Sequence, residues 1–239
     1  MHYAIVSDIH SNLEAFTSVL SEIKKRRPDK IISPGDIVGY GANPSECLKL
    51  ATEHCDEIVM GNHDQAVEDI KLREWFHPEA REAIEWTAGI LSNGEKALIR
   101  AWTRLVMDEP EGITIAHGSP KEPEEYHYVF DSDEAIPVFR YFPTRICLIG
   151  HTHVPSLFSS TGEAAYLKEG KHALDPKARY LINPGSVGQP RDKNPKTSFA
   201  FYDSEKFELE IVRLDYENHK AAEKIRKAGL PIFLAERLL

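Results

Sequence analysis

The sequence predicts an α/β protein, with residues 1–239 forming one compact domain that holds two sheets. Three observations carry this prediction. Short apolar runs alternate with amphipathic helical stretches through the first half of the chain. After residue 153 the pattern becomes β-rich. No internal repeat, low-complexity tract or linker interrupts the chain. With 239 residues, 41% hydrophobic and 28% charged, it can bury a full core without disulfides.

Residues 3–7, YAIVS, read as the first strand. Ser11 then offers an N-cap, with Glu14 placed to reach back, and the helix runs to about Arg27 before Pro28 stops it. Residues 30–33 are the second strand. Asn43, Pro44 and Glu46 open a second helix that runs to about His54. Residues 57–60 are the third strand. From 65 to 107 apolar residues recur at helical spacing, with SNGE as a break, which predicts a helical insert in the alternating pattern. Residues 112–118 return to strand. Residues 131–142 predict a helix limited by Pro137, and 145–150 another strand. Five further strands follow in PSLFSS, EAAYLKEG, ARYLINPG, TSFAFYD and FELEIVRLDY. A C-terminal helix starts near Asn218 and is broken by AGLP at 228–231.

Charge and cysteine usage exclude several classes. A net charge of −9 repels polyanions, so non-specific nucleic-acid binding is not expected. The KKRR run at 24–27 reads as the solvated face of a helix. The three cysteines have no CxxC spacing, and their odd number gives no disulfide framework. Cys147 reads as core. Cys47, Cys55 and His54 fall short of the four converging ligands of a structural zinc site. The sequence MHYAIVSDIHS has no basic or apolar signal-peptide region, and no apolar run reaches transmembrane length. A reducing, cytoplasmic setting is the expectation, with no membrane partner. Homo-oligomerisation is left open.

Chemistry gathers at the strand ends. The first strand delivers Asp8 and His10, the second Gly35 and Asp36, the third Gly61, Asn62, His63 and Asp64. The strand at 113–116 delivers His117, and that at 145–149 delivers His151 and His153. Taken singly, a D-x-H is an ordinary turn and a strand-end histidine an ordinary hydrogen-bond partner. Turn chemistry does not readily repeat this at five strand ends, and open α/β sheets bind ligands at the carboxyl ends of their strands. Asp, His and Asn without Cys make a mixed oxygen and nitrogen donor set, suited to manganese, iron, zinc, cobalt or nickel. These candidate ligands exceed the needs of one open catalytic ion. They suit two ions about 3.5–4 Å apart that share a bridging carboxylate.

The motifs SDIHS, PGDIVGYG, MGNHDQ, IAHGS and IGHTHVP, spanning residues 7–155 in this order, resemble those of the calcineurin-like metallophosphoesterase family. The resemblance implies a four-layer α/β/β/α sandwich with two mixed sheets and a dinuclear metal site. It implies that Asp8, His10, Asp36 and His153 hold the first ion, that Asp36 bridges, and that Asn62, His117 and His151 complete the second. It gives His63 no metal role. His63 would sit at the mouth of the site and protonate the leaving oxygen, with Asp64 orienting its ring and favouring the imidazolium. Two divalent cations against Asp8 and Asp36 make a locally cationic site inside an acidic protein, which suits a small phosphate ester.

The protein Ser/Thr phosphatase branch continues its G-D-x-V motif into Asp-Arg-Gly, whose arginine binds phosphate; here Gly39, Tyr40 and Gly41 stand instead. GDIVGYGANPSE, together with NPGSVGQPRD at 183–192, resembles a bacterial and archaeal branch described as phosphodiesterase-like or as related to diadenosine tetraphosphate hydrolases. A phosphodiesterase on small phosphorylated or nucleotide substrates is therefore the expectation. A phosphomonoesterase or protein phosphatase, a nuclease, and a non-catalytic metal-binding interaction module of the same fold are the alternatives. Arg191, Asn62 and Tyr40 are the candidate substrate contacts; for Arg191 the competing reading is a solvent-facing residue of a Gly/Pro turn. Trp75, Phe76, His77 and Trp86 in the helical insert are expected to be core, with capping of the site as the alternative.

Overall fold

The structure, a computed structural model, describes residues 1–108 and 110–239. Its first half alternates β1 (His2–Ile5), α1 (Leu13–Arg26), β2 (Lys30–Ser33), α2 (Pro44–His54) and β3 (Glu57–Ile58). Four helices follow: α3 (Asn62–Ala66), α4 (Ile70–Arg73), α5 (Pro78–Ile90) and α6 (Asn93–Arg100). Then come β4 (Leu105–Asp108), β5 (Ile113–Ala116), α7 (Ser132–Val138), β6 (Ile146–Leu148), β7 (Ser156–Ser159), β8 (Ala164–Tyr166), β9 (Gly170–Ala173) and β10 (Tyr180–Asn183). The chain closes with β11 (Thr197–Asp203), β12 (Glu208–Leu214), α8 (Asn218–Lys227) and α9 (Ile232–Glu236).

The strands form two mixed six-stranded sheets. One has the order β3-β2-β1-β11-β12-β9, the other β4-β5-β6-β10-β7-β8. β1, β2 and β3 run parallel, as do β5, β6 and β10, and the remaining pairs are antiparallel. Alternation along each strand explains the layers. In β1 Tyr3 and Ile5 face the second sheet, while Ala4 faces the core under α1 and α2. In β6 Ile146 and Leu148 join the inter-sheet core, while Cys147 packs with Ala135, Val138 and Phe142 around α7. Helices on both outer faces and two sheets between them give the four-layer sandwich.

Three expectations are corrected. Asn12, not Ser11, caps α1: its Oδ1 accepts from the Ala15 N–H at 3.1 Å, while Ser11 Oγ is buried without a partner. Helix does not continue to residue 107. Leu98, Ile99, Trp102 and Val106 fit helical spacing, but Leu105–Asp108 pairs with β5, and non-local pairing overrides local pattern. The edge strand β9 adds to the five strands predicted after residue 153, its alternating half-exposed residues carrying little apolar signal. Among the described residues no helix is long and apolar enough to cross a membrane.

Candidate metal centre

The loops after β1, β2, β5 and β6 meet at one edge of the sandwich, held by backbone bonds between them. Asp8 N–H donates to Gly35 O at 3.0 Å, His10 N–H to Asp36 O at 3.0 Å, and Gly150 N–H to His117 O at 2.8 Å. His151 N–H donates to the Asp8 carboxylate at 3.1 Å. Twelve described non-glycine residues have positive φ, and five of them are candidate ligands: Asp8, His10, Asp36, His151 and His153. Each such residue costs about 1–3 kcal/mol, and strain of this kind gathers where surrounding structure imposes it for function.

The side chains converge as the sequence led us to expect, and all but Asn62 are buried. Asp8, His10 and His153 form one cluster with ligand atoms within 4.8 Å of one another, and Asp36, His117 and His151 form a second. Asp36 links the second to the first, its Oδ2 being 3.2 Å from His117 Nε2 and 3.5 Å from His10 Nε2. Asn62 Oδ1 approaches His117 Nε2 at 3.1 Å. The outward ring nitrogens are spoken for. Nδ1 of His10, His117 and His153 donates to the carbonyls of Val38 (3.2 Å), Pro34 (2.8 Å) and Gln189 (2.7 Å). In the neutral rings this leaves the Nε2 lone pairs facing inward, the tautomer a metal ligand needs. His10 and His153 then aim their Nε2 atoms at each other across 3.1 Å, and Asp36 Oδ2 is buried with no hydrogen-bond partner. Converging lone pairs around an unpartnered carboxylate oxygen are what divalent cations would satisfy, so the residues fit the metals the motifs imply.

Electrostatics agree. Burial holds His10, His151 and His153 well below the usual imidazole value, so they are neutral and ligand-ready at pH 7. His117 is the exception. Burial opposes its charge, but Asp36 and Asp8 outweigh burial and raise it to about 9. The same pairing holds Asp36 well below the usual carboxylate range despite burial. Burial lifts Asp8 to about 6.

His63 stands beside the clusters, within the same 4.8 Å of His10 and Asp36. It packs edge-on against Phe76 and His10, with ring centroids 4.9 and 4.7 Å away, and against Tyr40 at 4.3 Å. The expected role of Asp64 in orienting its ring finds no hydrogen bond. Both Asp64 oxygens accept from backbone N–H groups instead: Asp36 at 2.9 Å, Val38 at 3.1 Å and Gly61 at 3.1 Å. Asp64 sits in the first turn of α3, where free N–H groups and the β2 loop are the nearest donors. His63 Nδ1 has no partner, and burial drives the ring down to about 4 rather than towards the imidazolium.

The site opens into a cavity of about 760 Å³ whose walls include Tyr40, Asn62, His63, Trp75, Phe76, His77 and Arg191. Trp75 is 88% exposed, so the core reading fails for it and for Phe76 and His77, which face the cleft. It holds for Trp86, which packs against the α8 and α9 cluster. Arg191 donates to the Tyr40 hydroxyl at 3.3 Å. The sequence reading missed Tyr128, whose ring stacks on His151 at 3.8 Å, and Phe233 and Arg237 of the C-terminal segment, which line the same cavity. None of them belongs to a motif, and only the fold brings them to the site.

Comparison with known proteins adds to this. Residues 1–206 match the model of the calcineurin-like phosphoesterase superfamily domain. An uncharacterized protein of Methanocaldococcus jannaschii is 42% identical over 237 residues, covering 98% of this chain and 96% of its own. The crystal structure of a metallophosphoesterase from Sphaerobacter thermophilus is similar at a TM-score of 0.88 and 35% identity, over 100% of this chain and 98% of that one. A hypothetical protein of Pyrococcus horikoshii OT3 shares the fold at a TM-score of 0.79 and 18% identity, over 99% and 97% of the two chains.

Proposed function

The chain belongs to the calcineurin-like phosphoesterase superfamily, and from that premise we propose that it is a dinuclear metal-dependent phosphodiesterase acting on small phosphorylated or nucleotide substrates. The observation that carries the proposal is Asp36, which belongs to the cluster of His117 and His151 and whose Oδ2 also stands 3.5 Å from His10 Nε2 in the cluster of Asp8 and His153. One carboxylate in that position suits two ions better than one. Asp8, His10, Asp36 and His153 would hold the first, and Asp36, Asn62, His117 and His151 the second. Such ions, manganese among the candidates, supply Lewis acidity and an activated water to a phosphate ester.

The chain's own residues do the rest. The Nδ1–carbonyl bonds of His10, His117 and His153 fix ring planes before substrate arrives. Asp64 ties the Asp36 and Val38 backbone to the start of α3 and so sets where Asp36, Asn62 and His63 stand. His63, at the cavity wall, is placed to give a proton to the leaving oxygen. Burial keeps it neutral in the empty site, and the negative charge of a bound phosphate favours its protonated form. The three free cysteines suit a reducing cytoplasm. The test is the ratio of hydrolysis rates on bis-p-nitrophenyl phosphate and p-nitrophenyl phosphate, with manganese restored after stripping. A clear diester preference supports the proposal. A monoester preference would replace it with a phosphatase, and no hydrolysis of either would favour the interaction module.

A further inference from the structure

A cavity of about 760 Å³ is far larger than one phosphate needs, and cavities of roughly 300–1,000 Å³ accept whole small-molecule ligands. One wall carries two arginines. Arg191 Nη2 and Arg237 Nη1 converge on the same acceptor, Gln189 Oε1, at 3.2 and 3.4 Å. Arg237 also lies 4.6 Å over the Phe233 ring. Among the described residues neither arginine pairs with a carboxylate, and Arg191 Nε is buried with no partner at all. Two guanidiniums gathered around one neutral oxygen repel each other, and an anion is the partner that relieves this.

We propose that Arg191 and Arg237 form a second anion subsite, which holds a phosphate other than the one being hydrolysed, so that the substrate carries at least two phosphate groups. The proposal rests on the phosphoesterase reading above. The two cations stand at different depths. The Arg191 backbone N–H donates to His153 O at 3.3 Å, and its Nη2 donates to the Tyr40 hydroxyl, whose ring lies 4.6 Å from that of His10, which places it beside the candidate ligands. Arg191 is half-buried, whereas Arg237 is exposed and reaches in only to Gln189 Oε1 at 3.4 Å and to the Phe233 ring. One phosphate at the metal centre can be met from the inner position. The outer guanidinium is then free for the next. Arg237 follows α9, beyond the residues 1–206 matched by the family model. Trp75 and Phe76, which also line the cavity, offer faces on which a planar base can stack.

The experiment compares adenosine 5′-monophosphate with adenosine 5′-diphosphate, which differ by one phosphate, as ligands of the manganese-loaded protein in titration calorimetry. We expect the diphosphate to bind at least about tenfold tighter, in line with one added charge-assisted contact. Arg237→Gln should remove that advantage and Arg237→Lys should keep part of it. Equal affinity for the two nucleotides in the wild type, or an advantage that survives Arg237→Gln, overturns the proposal. If Arg237→Gln fails to fold, the wild-type comparison and the Lys variant still decide. Failure of the phosphoesterase reading shows separately, as absent hydrolysis of bis-p-nitrophenyl phosphate by the wild type.

Discussion

Adding one methyl group at Gly61 should damage the metal centre without straining the backbone. Gly61 precedes α3 with φ −87° and ψ 171°, a conformation open to alanine. In such a place Gly→Ala by itself stabilises by about 0.4–1 kcal/mol through the unfolded chain. Here a Cβ would lie 2.5 Å from the Asp36 backbone nitrogen and 2.7 Å from Asp36 Cγ, and closer still to Oδ1. Carbon contacts settle near 3.5–4.0 Å, so Asp36 must retreat by roughly 1 Å. The retreat is opposed by the bond from Asp36 N–H to Asp64 Oδ2 at 2.9 Å, so the carboxylate or its whole loop has to shift. Metal sites tolerate about 0.2 Å of ligand error, and a misplacement of about 1 Å can lower turnover about 10²-fold. We expect Gly61→Ala to bind manganese about 10–100-fold more weakly in calorimetry, to hydrolyse bis-p-nitrophenyl phosphate about 10²-fold more slowly, and to lose about 1–3 kcal/mol in thermal unfolding. Wild-type manganese affinity together with wild-type turnover would refute the placement of Asp36 at the centre of the site.

Other perturbations follow the same geometry. His63→Ala should lower turnover by roughly 10²–10⁴ with two ions still bound by metal analysis; unchanged turnover on a substrate with a poor leaving group removes His63 from the mechanism. Asp64→Asn leaves one acceptor oxygen where Asp36, Val38 and Gly61 N–H groups converge, so unfolding in denaturant should show a loss of about 1–3 kcal/mol per orphaned donor. His117 is raised from 6.5 to about 9 in the metal-free protein, so the folded chain holds more protons than the unfolded one between those values. Stability of the stripped protein should therefore fall as pH rises from 6.5 to 9, and metal, which displaces that proton, should flatten the slope in melting curves. Trp75→Ala, at a side chain 88% exposed, should leave stability within about 0.5 kcal/mol while raising KM for nucleotide substrates more than for p-nitrophenyl phosphate.

The convergence of the candidate ligands was legible because each candidate follows a short apolar run within a few residues, and strand ends of one α/β sandwich meet. Local sequence carried both the residue type and its place. The C-terminal half of the site was not legible in this way. Arg237 and Phe233 reach the cavity only because α9 folds back against α5 and α8, and nothing in IFLAERLL announces a role beyond packing. Asp64 was read towards its chain neighbour His63, whereas two of its three bonds go to the loop after β2, a long-range pairing no spacing reveals. β4 was hidden for the same reason, since its strand character comes from β5. The positive φ angles of five candidate ligands were also invisible, because turn signals point to glycine and asparagine while here aspartate and histidine take the strained positions.

The most direct test of the dinuclear account is anomalous diffraction from crystals grown with manganese. The account predicts two peaks about 3.5–4 Å apart, with Asp36 between them, one beside Asp8, His10 and His153 and the other beside Asn62, His117 and His151. A single peak, or two peaks that do not share Asp36, would contradict it.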